Sequence, residues 1–263
     1  MVRESVGLCD VTTLGKIDIQ GPDAAEFLDR VYCNMFSTLK VGRVRYGLML
    51  REDGMVMDDG TSARFGPNHY VMTTTTAAAG QVMTHLDFCA QVLWPELDVQ
   101  FISVTEQWAQ FAVAGPKSRE LLDVLCKEDI TDENFPYMGC GAITLGKVQA
   151  RLFRISFSGE HAYEIAVPAR YGDALARELT ARAAEFGGDW YGMEALNVLR
   201  IEKGFITHAE IHGRITADDI GMGRMVSAKK DSVGKVSSQH PGLSGPEREQ
   251  LVGLKPVGAV KQF

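Results

Sequence analysis

Two adjacent carboxylates, Asp58 and Asp59, are the first residues whose type and spacing suggest chemistry. They follow the apolar residues 55–57 in a segment typical of a β-strand, where neighbouring side chains point to opposite faces. We therefore expect one aspartate to face solvent and the other to face the interior. An inward carboxylate is costly unless it is hydrogen-bonded or used. The inner aspartate is therefore either a cap of the next turn or a group directed at an amine of a ligand.

A third acidic residue, Glu164, lies in an otherwise apolar strand that resumes after a turn at Gly159. Two interpretations of it remain open. It is either an edge carboxylate in water or an acceptor for the paired N–H donors of a flat heterocycle. The second arrangement would be strong and orienting, because a bidentate, charge-assisted pair fixes both partners.

The strand that carries the aspartates is preceded by a turn at Asp53-Gly54 and by the strand-like residues 46–50. The Asp-Gly pair predicts a hairpin with a type I′ turn, in which both central residues have positive φ.

A repeat organises the rest of the chain. Gly115-Pro116 opens a helix 94 residues after Gly21-Pro22 opens another, and Tyr163 lies in a strand 93 residues after Tyr70. Each copy reads as a strand, a helix, a hairpin and a second helix. Either the likeness is chance, or the chain contains two copies of one α+β unit whose helices cover antiparallel sheets.

The duplication predicts two lobes that enclose a cleft. We assign the first lobe to residues 1–95 and the second, with an additional long helix, to residues 96–225. Residues 226–263 read as a linker and the start of a truncated C-terminal domain, with a strand at 250–254.

Composition excludes several classes of function. The chain has 263 residues, 45% of them hydrophobic, and a net charge of −7, which disfavours a nucleic-acid or anionic-membrane surface. Neither a membrane span nor a signal peptide is recognisable. Five scattered cysteines without a C-x-x-C pair favour reduced thiols in the cytoplasm. His208 and His212 have helical spacing but only Glu210 as a neighbouring ligand, so no metal site is predicted.

Several motifs together resemble the aminomethyltransferase (glycine cleavage T-protein) family of folate-binding proteins. The similar segments are an opening at residues 3–11, a turn at 54–59, the segment 157–164 and the later runs 200–202 and 230–235. Within this family, the branch formed by the C-terminal part of the α subunit of heterotetrameric sarcosine oxidase is more similar. That likeness rests on residues 13–23, 45–49, 52–56, 73–76 and 199–206.

The resemblance implies an α+β fold of two duplicated lobes, with a C-terminal barrel largely absent, and a tetrahydrofolate site in the cleft. Asp59 would be the catalytic carboxylate near the reactive folate nitrogens. Glu164 would hold the amino-pyrimidine edge of the pterin, and Tyr46 would lie near the folate.

Three further positions are implied to contact folate. Thr74 stands where the family has an Asn, Phe157 where it has a Tyr, and Leu196 where the T-protein has an Arg. The last two replacements each remove a polar contact, which argues against transfer from a lipoyl-bound aminomethyl group. The sarcosine oxidase branch is also apolar at the Leu196 position.

The implied reaction converts a sarcosine-derived imine and tetrahydrofolate into glycine and 5,10-methylenetetrahydrofolate. A flavin and NAD would be held by other domains or by other sarcosine oxidase subunits, since this chain lacks a dinucleotide fingerprint. The alternatives are a free-standing aminomethyltransferase that acts with a lipoyl carrier protein, a folate-binding or assembly domain without chemistry, and a fragment with little activity alone.

Overall fold

The computed structural model describes residues 1–255 and contains eleven strands and seven α-helices in that range. The strands are β1 (Gly7–Asp10), β2 (Gly15–Gln20), β3 (Arg43–Leu50), β4 (Val56–Gly66), β5 (His69–Thr74), β6 (Gln100–Ser103), β7 (Trp108–Ala114), β8 (Cys140–Leu145), β9 (Val148–Phe153), β10 (Ala162–Pro168) and β11 (Asp189–Trp190). The helices are α1 (Ala24–Val31), α2 (Ala79–Phe88), α3 (Ser118–Asp123), α4 (Gly172–Glu185), α5 (Met193–Ile201), α6 (Lys235–Ser238) and α7 (Pro241–Ser244). Within this range no helix is long and apolar enough to cross a membrane.

The predicted duplication is confirmed. The order β2-α1-β3-β4-β5-α2 recurs as β7-α3-β8-β9-β10-α4. A glycine with positive φ precedes the first helix of each copy, Gly21 at +140° and Gly115 at +134°. A side chain at either glycine would collide with backbone carbonyl oxygens, that of Asp98 beside Gly21 and that of Ser5 beside Gly115. The Gly-Pro pairs of the repeat therefore mark two equivalent tight entries into a helix.

The two sheets are tied together by an exchange of strands. The first sheet has the order β3-β4-β5-β2-β6, and the second has the order β11-β1-β7-β10-β9-β8. Strand β1 precedes the first copy but pairs antiparallel with β7 of the second. Strand β6 precedes the second copy but pairs antiparallel with β2 of the first. The lobe boundaries given above stay a prediction.

Three apolar clusters explain this arrangement. One lies between the first sheet and α1 and α2, and includes Phe27 and Met72. A second lies between the other sheet and α3 and α4, and includes Ile165. A smaller cluster joins the two sheets directly, with Ala63 from the first and Ala166 from the second. Each sheet therefore has one face covered by helices and another turned toward its counterpart.

The hairpin before the aspartates forms, but the predicted turn type is wrong. The amide of Gly54 donates to the carbonyl of Arg51 (2.9 Å), and the amide of Arg51 donates to the carbonyl of Met55 (2.8 Å). Only Gly54 has positive φ, at +85°, whereas a type I′ turn also requires it at Asp53. The loop is a type I turn followed by a left-handed glycine, because the Asp53 carboxylate accepts the Met55 amide (3.0 Å) and favours that geometry.

A second expectation is also wrong. Residues 250–254 form no strand, although the amide of Leu251 donates to the carbonyl of Asp219 (2.7 Å). The remainder of the predicted C-terminal segment, 256–263, lies outside the described residues.

Candidate functional site

Asp58 and Asp59 point to opposite faces of the first sheet, as the alternation predicts. Asp58 lies opposite Met49, which packs in the helix-covered core, and Asp59 lies opposite Leu48 on the other face. The expectation that one of them faces solvent is wrong. Asp58 is 2% exposed, and Asp59 is half-buried with an Oδ1 atom that has no accessible surface. Both carboxylates therefore lose most of their contact with water.

The face that carries Asp59 is covered by residues 206–226. Isoleucines at 206, 211, 215 and 220 pack against Leu48 and Leu50. The segment is fixed to the hairpin by the Val56 amide, which donates to the carbonyl of Ile215 (2.7 Å). The spacing of these isoleucines was the available signal, but it fits neither a helix nor a strand.

Among residues 1–255, one hydrogen bond holds the Asp59 carboxylate. The hydroxyl of Tyr46 donates to its Oδ2 atom at 2.8 Å. Its Oδ1 atom is buried and has no hydrogen-bond partner among residues 1–255. Burial raises the pKa of Asp59, and the bond from Tyr46 offsets this only in part. Burial and the Asp59 charge raise the pKa of the Tyr46 phenol, so Tyr46 stays a donor.

Asp58 is satisfied by the turn that follows β5. The hydroxyl of Thr75 donates to Oδ1 (2.8 Å), and the amide of Thr75 donates to Oδ2 (3.3 Å). Burial nevertheless raises the pKa of Asp58 to about 7. Asp58 therefore fits the capping interpretation, and Asp59 is the aspartate with an acceptor oxygen left free.

Glu164 lies on β10, between β7 and β9 in the interior of the second sheet, so the edge interpretation is wrong. It is 8% exposed, and the side-chain amide of Gln110 donates to its Oε2 atom. No donor from residues 1–255 reaches Oε1. Burial raises the pKa of Glu164 to about 7, against the lowering effects of the Gln110 bond and the Lys16 charge.

The two acidic groups lie on sheet faces that are turned toward each other. Asp59 and Ala63 are four residues apart on β4 and share a face, as do Glu164 and Ala166 on β10. Ala63 and Ala166 belong to the cluster that joins the two sheets. The structure therefore brings Tyr46 and Asp59 into contact and sets Glu164 on the opposing wall.

The other three expected contact residues occupy separate places. Thr74 ends β5, where it is 3% exposed and its hydroxyl donates to the carbonyl of Thr75 (3.0 Å). Phe157 lies between β9 and β10 and stacks on Phe205, with ring centroids 6.1 Å apart. Leu196 is buried on α5. Their role in binding stays a prediction.

Two buried residues beside Glu164 escaped the sequence analysis. Gln110 is 1% exposed and Lys16 is 2% exposed. The Lys16 ammonium donates to the carbonyls of Thr12 (2.7 Å) and Leu14 (3.0 Å). The available signal was weak, because only Gln110 stands in an otherwise apolar strand, whereas Lys16 is one of three polar residues that alternate along β2. Among residues 1–255 no group of three or more His, Cys, Asp or Glu side chains is suited to a metal ion.

A comparison with protein families identifies the domain. The model of the GCVT N-terminal domain matches residues 1–230. The chain belongs to this family. The predicted resemblance to aminomethyltransferases is thereby confirmed, and so is the α+β fold of two antiparallel sheets.

Relatives of this GCVT-family chain include sarcosine oxidase α subunits and aminomethyltransferases. Sarcosine oxidase subunit alpha of Rhizobium meliloti is 56% identical over 265 residues, which span 100% of this chain and 27% of the relative. The same subunit of Corynebacterium sp. strain P-1 is 46% identical, again over 27% of its length. The aminomethyltransferase of Corynebacterium aurimucosum is 30% identical and is covered over 66% of its length. The chain thus spans about a quarter of the sarcosine oxidase subunits that it matches.

Solved structures support the fold. The aminomethyltransferase T of the glycine cleavage system from Bartonella henselae matches 93% of this chain and 65% of its own, with a TM-score of 0.78 and 23% identity. A chain of the heterotetrameric sarcosine oxidase from Corynebacterium sp. U-96 matches 69% of this chain and 85% of its own, with a TM-score of 0.51 and 15% identity.

Proposed function

We propose that this chain is the tetrahydrofolate-binding, one-carbon transfer domain of a sarcosine oxidase α subunit. It would convert a sarcosine-derived imine and tetrahydrofolate into glycine and 5,10-methylenetetrahydrofolate. The observation that carries the proposal is the Asp59 carboxylate, which has one oxygen held by Tyr46 and the other buried without a partner. The 56% identity to a sarcosine oxidase α subunit favours this reaction over aminomethyl transfer from a lipoyl carrier.

The residues present fit a reduced pterin. A pterin carries an amino-pyrimidine edge of adjacent N–H donors and basic ring nitrogens on the other side. Glu164 supplies a buried carboxylate with Oε1 free for such donors, and Asp59 supplies a second acceptor on the facing sheet. Buried acceptors without donors are costly. Carboxylates on both facing sheets therefore suit a ligand that has hydrogen-bond donors at its two ends.

Tetrahydrofolate bound there would supply the nitrogen nucleophiles that accept the one-carbon unit. Asp59 would take up and return a proton at those nitrogens, and burial, which raises its pKa, makes it a stronger base than an exposed carboxylate. Tyr46 would keep Asp59 in one orientation while remaining protonated itself. The covering segment 206–226 would keep water away from the Asp59 face and so strengthen both interactions.

Oxidation of sarcosine would take place outside this chain, on a flavin held by other domains or subunits. The imine, CH2=N–CH2–COO−, would then transfer its CH2 group to two folate nitrogens. The C=N bond breaks, two C–N bonds to folate form, and the two N–H protons end on the amine of glycine. The proton balance requires no further oxidant or reductant, and holding the two reactants together accounts for much of the rate.

The test separates binding from chemistry. Tetrahydrofolate is titrated into the chain and followed by tryptophan fluorescence, and 5,10-methylenetetrahydrofolate is measured with a formaldehyde–glycine mixture as the source of imine. Asp59→Asn should keep tetrahydrofolate binding and lose product formation above the protein-free background, because the amide cannot take up the proton. Glu164→Gln should weaken binding, because the amide loses the charge that pairs with the pterin donors.

Asp53→Asn is a suitable control, since Asp53 lies in the exposed turn of the same hairpin. Unchanged product formation by Asp59→Asn with binding intact would remove Asp59 from the chemistry. Binding of tetrahydrofolate without catalysis in the unaltered chain would instead favour the folate-binding or assembly alternative.

A further inference from the structure

We infer that Gln110 is a positioning residue that fixes the Glu164 carboxylate in the orientation needed to receive a pterin, an inference that rests on the proposed function. Its side-chain amide donates to Oε2 of Glu164 and thereby leaves Oε1 as the open acceptor. A Gln amide donates only through its nitrogen, so this bond also fixes which way the amide is turned.

The position of Gln110 makes the contact specific. Gln110 pairs with Ala166 on β10, and Ala166 lies two residues from Glu164 on the same face. The Gln110 side chain therefore reaches Glu164 along the diagonal of a central strand pair, where long side chains can meet. Ala112, which lies directly opposite Glu164, is too small to interfere.

The backbone of Gln110 is held as firmly as its side chain. Its backbone amide donates a hydrogen bond to the hydroxyl of Thr12 (3.0 Å), and its carbonyl accepts one from the amide of Val11 (3.0 Å). Both partners belong to the connection between β1 and β2, which passes from the second sheet to the first. Gln110 is thus anchored where the two sheets are linked, and it holds the acidic group of one wall.

The electrostatic effect of Gln110 agrees with this role. Without the hydrogen bond from Gln110, burial would favour the protonated form of Glu164 more strongly. A protonated carboxyl group has one acceptor oxygen fewer to offer a ligand. The Lys16 ammonium on β2 also acts on Glu164, whereas the Cys9 thiol on β1 and the Tyr191 phenol after β11 have pKa values that the Glu164 charge raises. Only Lys16 among these is a cation, and its ammonium is engaged with two backbone carbonyls.

The experiment is a double-substitution cycle with tetrahydrofolate as the probe. Gln110→Met has similar length but no donor, and it should weaken binding on the order of tenfold, as loss of a charge-assisted bond does. In a Glu164→Gln background the same substitution should change affinity by less than about twofold. Gln149→Met, at an exposed position near the start of β9, is the matched control and should leave affinity unchanged.

A second readout needs no folate. Carbon-13 NMR of the ligand-free chain follows the titration of the Glu164 carboxyl, and Gln110→Met should raise its pKa by about one unit. Gln110→Asn keeps a polar amide but is too short to reach Glu164, and it should give the same shift if Gln110→Met fails to fold. An unchanged titration, or an equal loss of affinity in both backgrounds, would overturn the role of Gln110. Absence of tetrahydrofolate binding by the unaltered chain would refute the proposed function, whereas the NMR titration would still decide whether Gln110 acts on Glu164.

Discussion

Removal of the Tyr46 hydroxyl tests how the Asp59 carboxylate is held. The Tyr46→Phe substitution deletes the 2.8 Å bond to Oδ2, and Oδ1 already lacks a partner among residues 1–255. A hydrogen bond to a charged acceptor contributes about 1.5–3 kcal/mol. Since one pKa unit corresponds to about 1.4 kcal/mol, the pKa of Asp59 should rise by about 1–2 units. The ionised base would then become available only at higher pH.

Two measurements address this prediction. Carbon-13 NMR reports the titration of Asp59 in the ligand-free chain, and the pH profile of 5,10-methylenetetrahydrofolate formation should move its acidic limb upward by the same amount. Tyr70→Phe is the matched control, because Tyr70 is fully buried on the helix-covered face of the same sheet and its hydroxyl has no hydrogen bond among residues 1–255. A Tyr46→Phe variant with an unshifted Asp59 titration would refute the argument that this bond stabilises the ionised form.

Three further changes have defined outcomes. Burial raises the pKa of Glu164, so the folded chain binds this proton more tightly than the unfolded chain does. The free energy of unfolding should therefore fall by up to about 3 kcal/mol between pH 4.5 and pH 7. Glu164→Gln should remove that part of the pH dependence in thermal unfolding curves. Gly54→Ala should lower the free energy of unfolding by about 1–3 kcal/mol, because φ is +85° and a Cβ would lie 2.5 Å from the Ser238 amide nitrogen. An unchanged urea midpoint would contradict this. Asp18→Asn should lower the free energy of urea unfolding at pH 7 by about 3 kcal/mol, because it breaks the 3.0 Å ion pair that joins Asp18 to Arg151 of the other sheet. Equal stability of this variant would show that the ion pair does not stabilise the fold.

The sequence was informative wherever a local rule decides the outcome. The Gly-Pro entries at 21–22 and 115–116 revealed the duplication, because only a few residue types suit a helix start after a left-handed residue. Strand alternation placed Asp58 and Asp59 on opposite faces. The family motifs led to Tyr46 and Asp59, which the structure joins by a hydrogen bond.

The sequence was uninformative where distant segments decide the outcome. Coverage of the Asp59 face by residues 206–226 depends on contacts more than 150 residues away along the chain, and irregular backbone carries no periodic signal. Gln110 is a polar residue in an apolar strand, and its partner Glu164 becomes visible only with the pairing of β7 and β10. The turn at Asp53-Gly54 was misjudged because an Asp side chain can stabilise a competing loop.

The exchange of β1 and β6 between the two sheets makes each half of the chain dependent on the other. Neither half of the chain supplies all the strands of its own sheet. Each half expressed alone would therefore expose an unpaired strand edge that is prone to self-association. The same pairing is what gene fusion would leave behind if two identical ancestral subunits had traded their leading strands across a twofold axis. After such a fusion, the association of the two halves would no longer depend on protein concentration, because they are covalently linked.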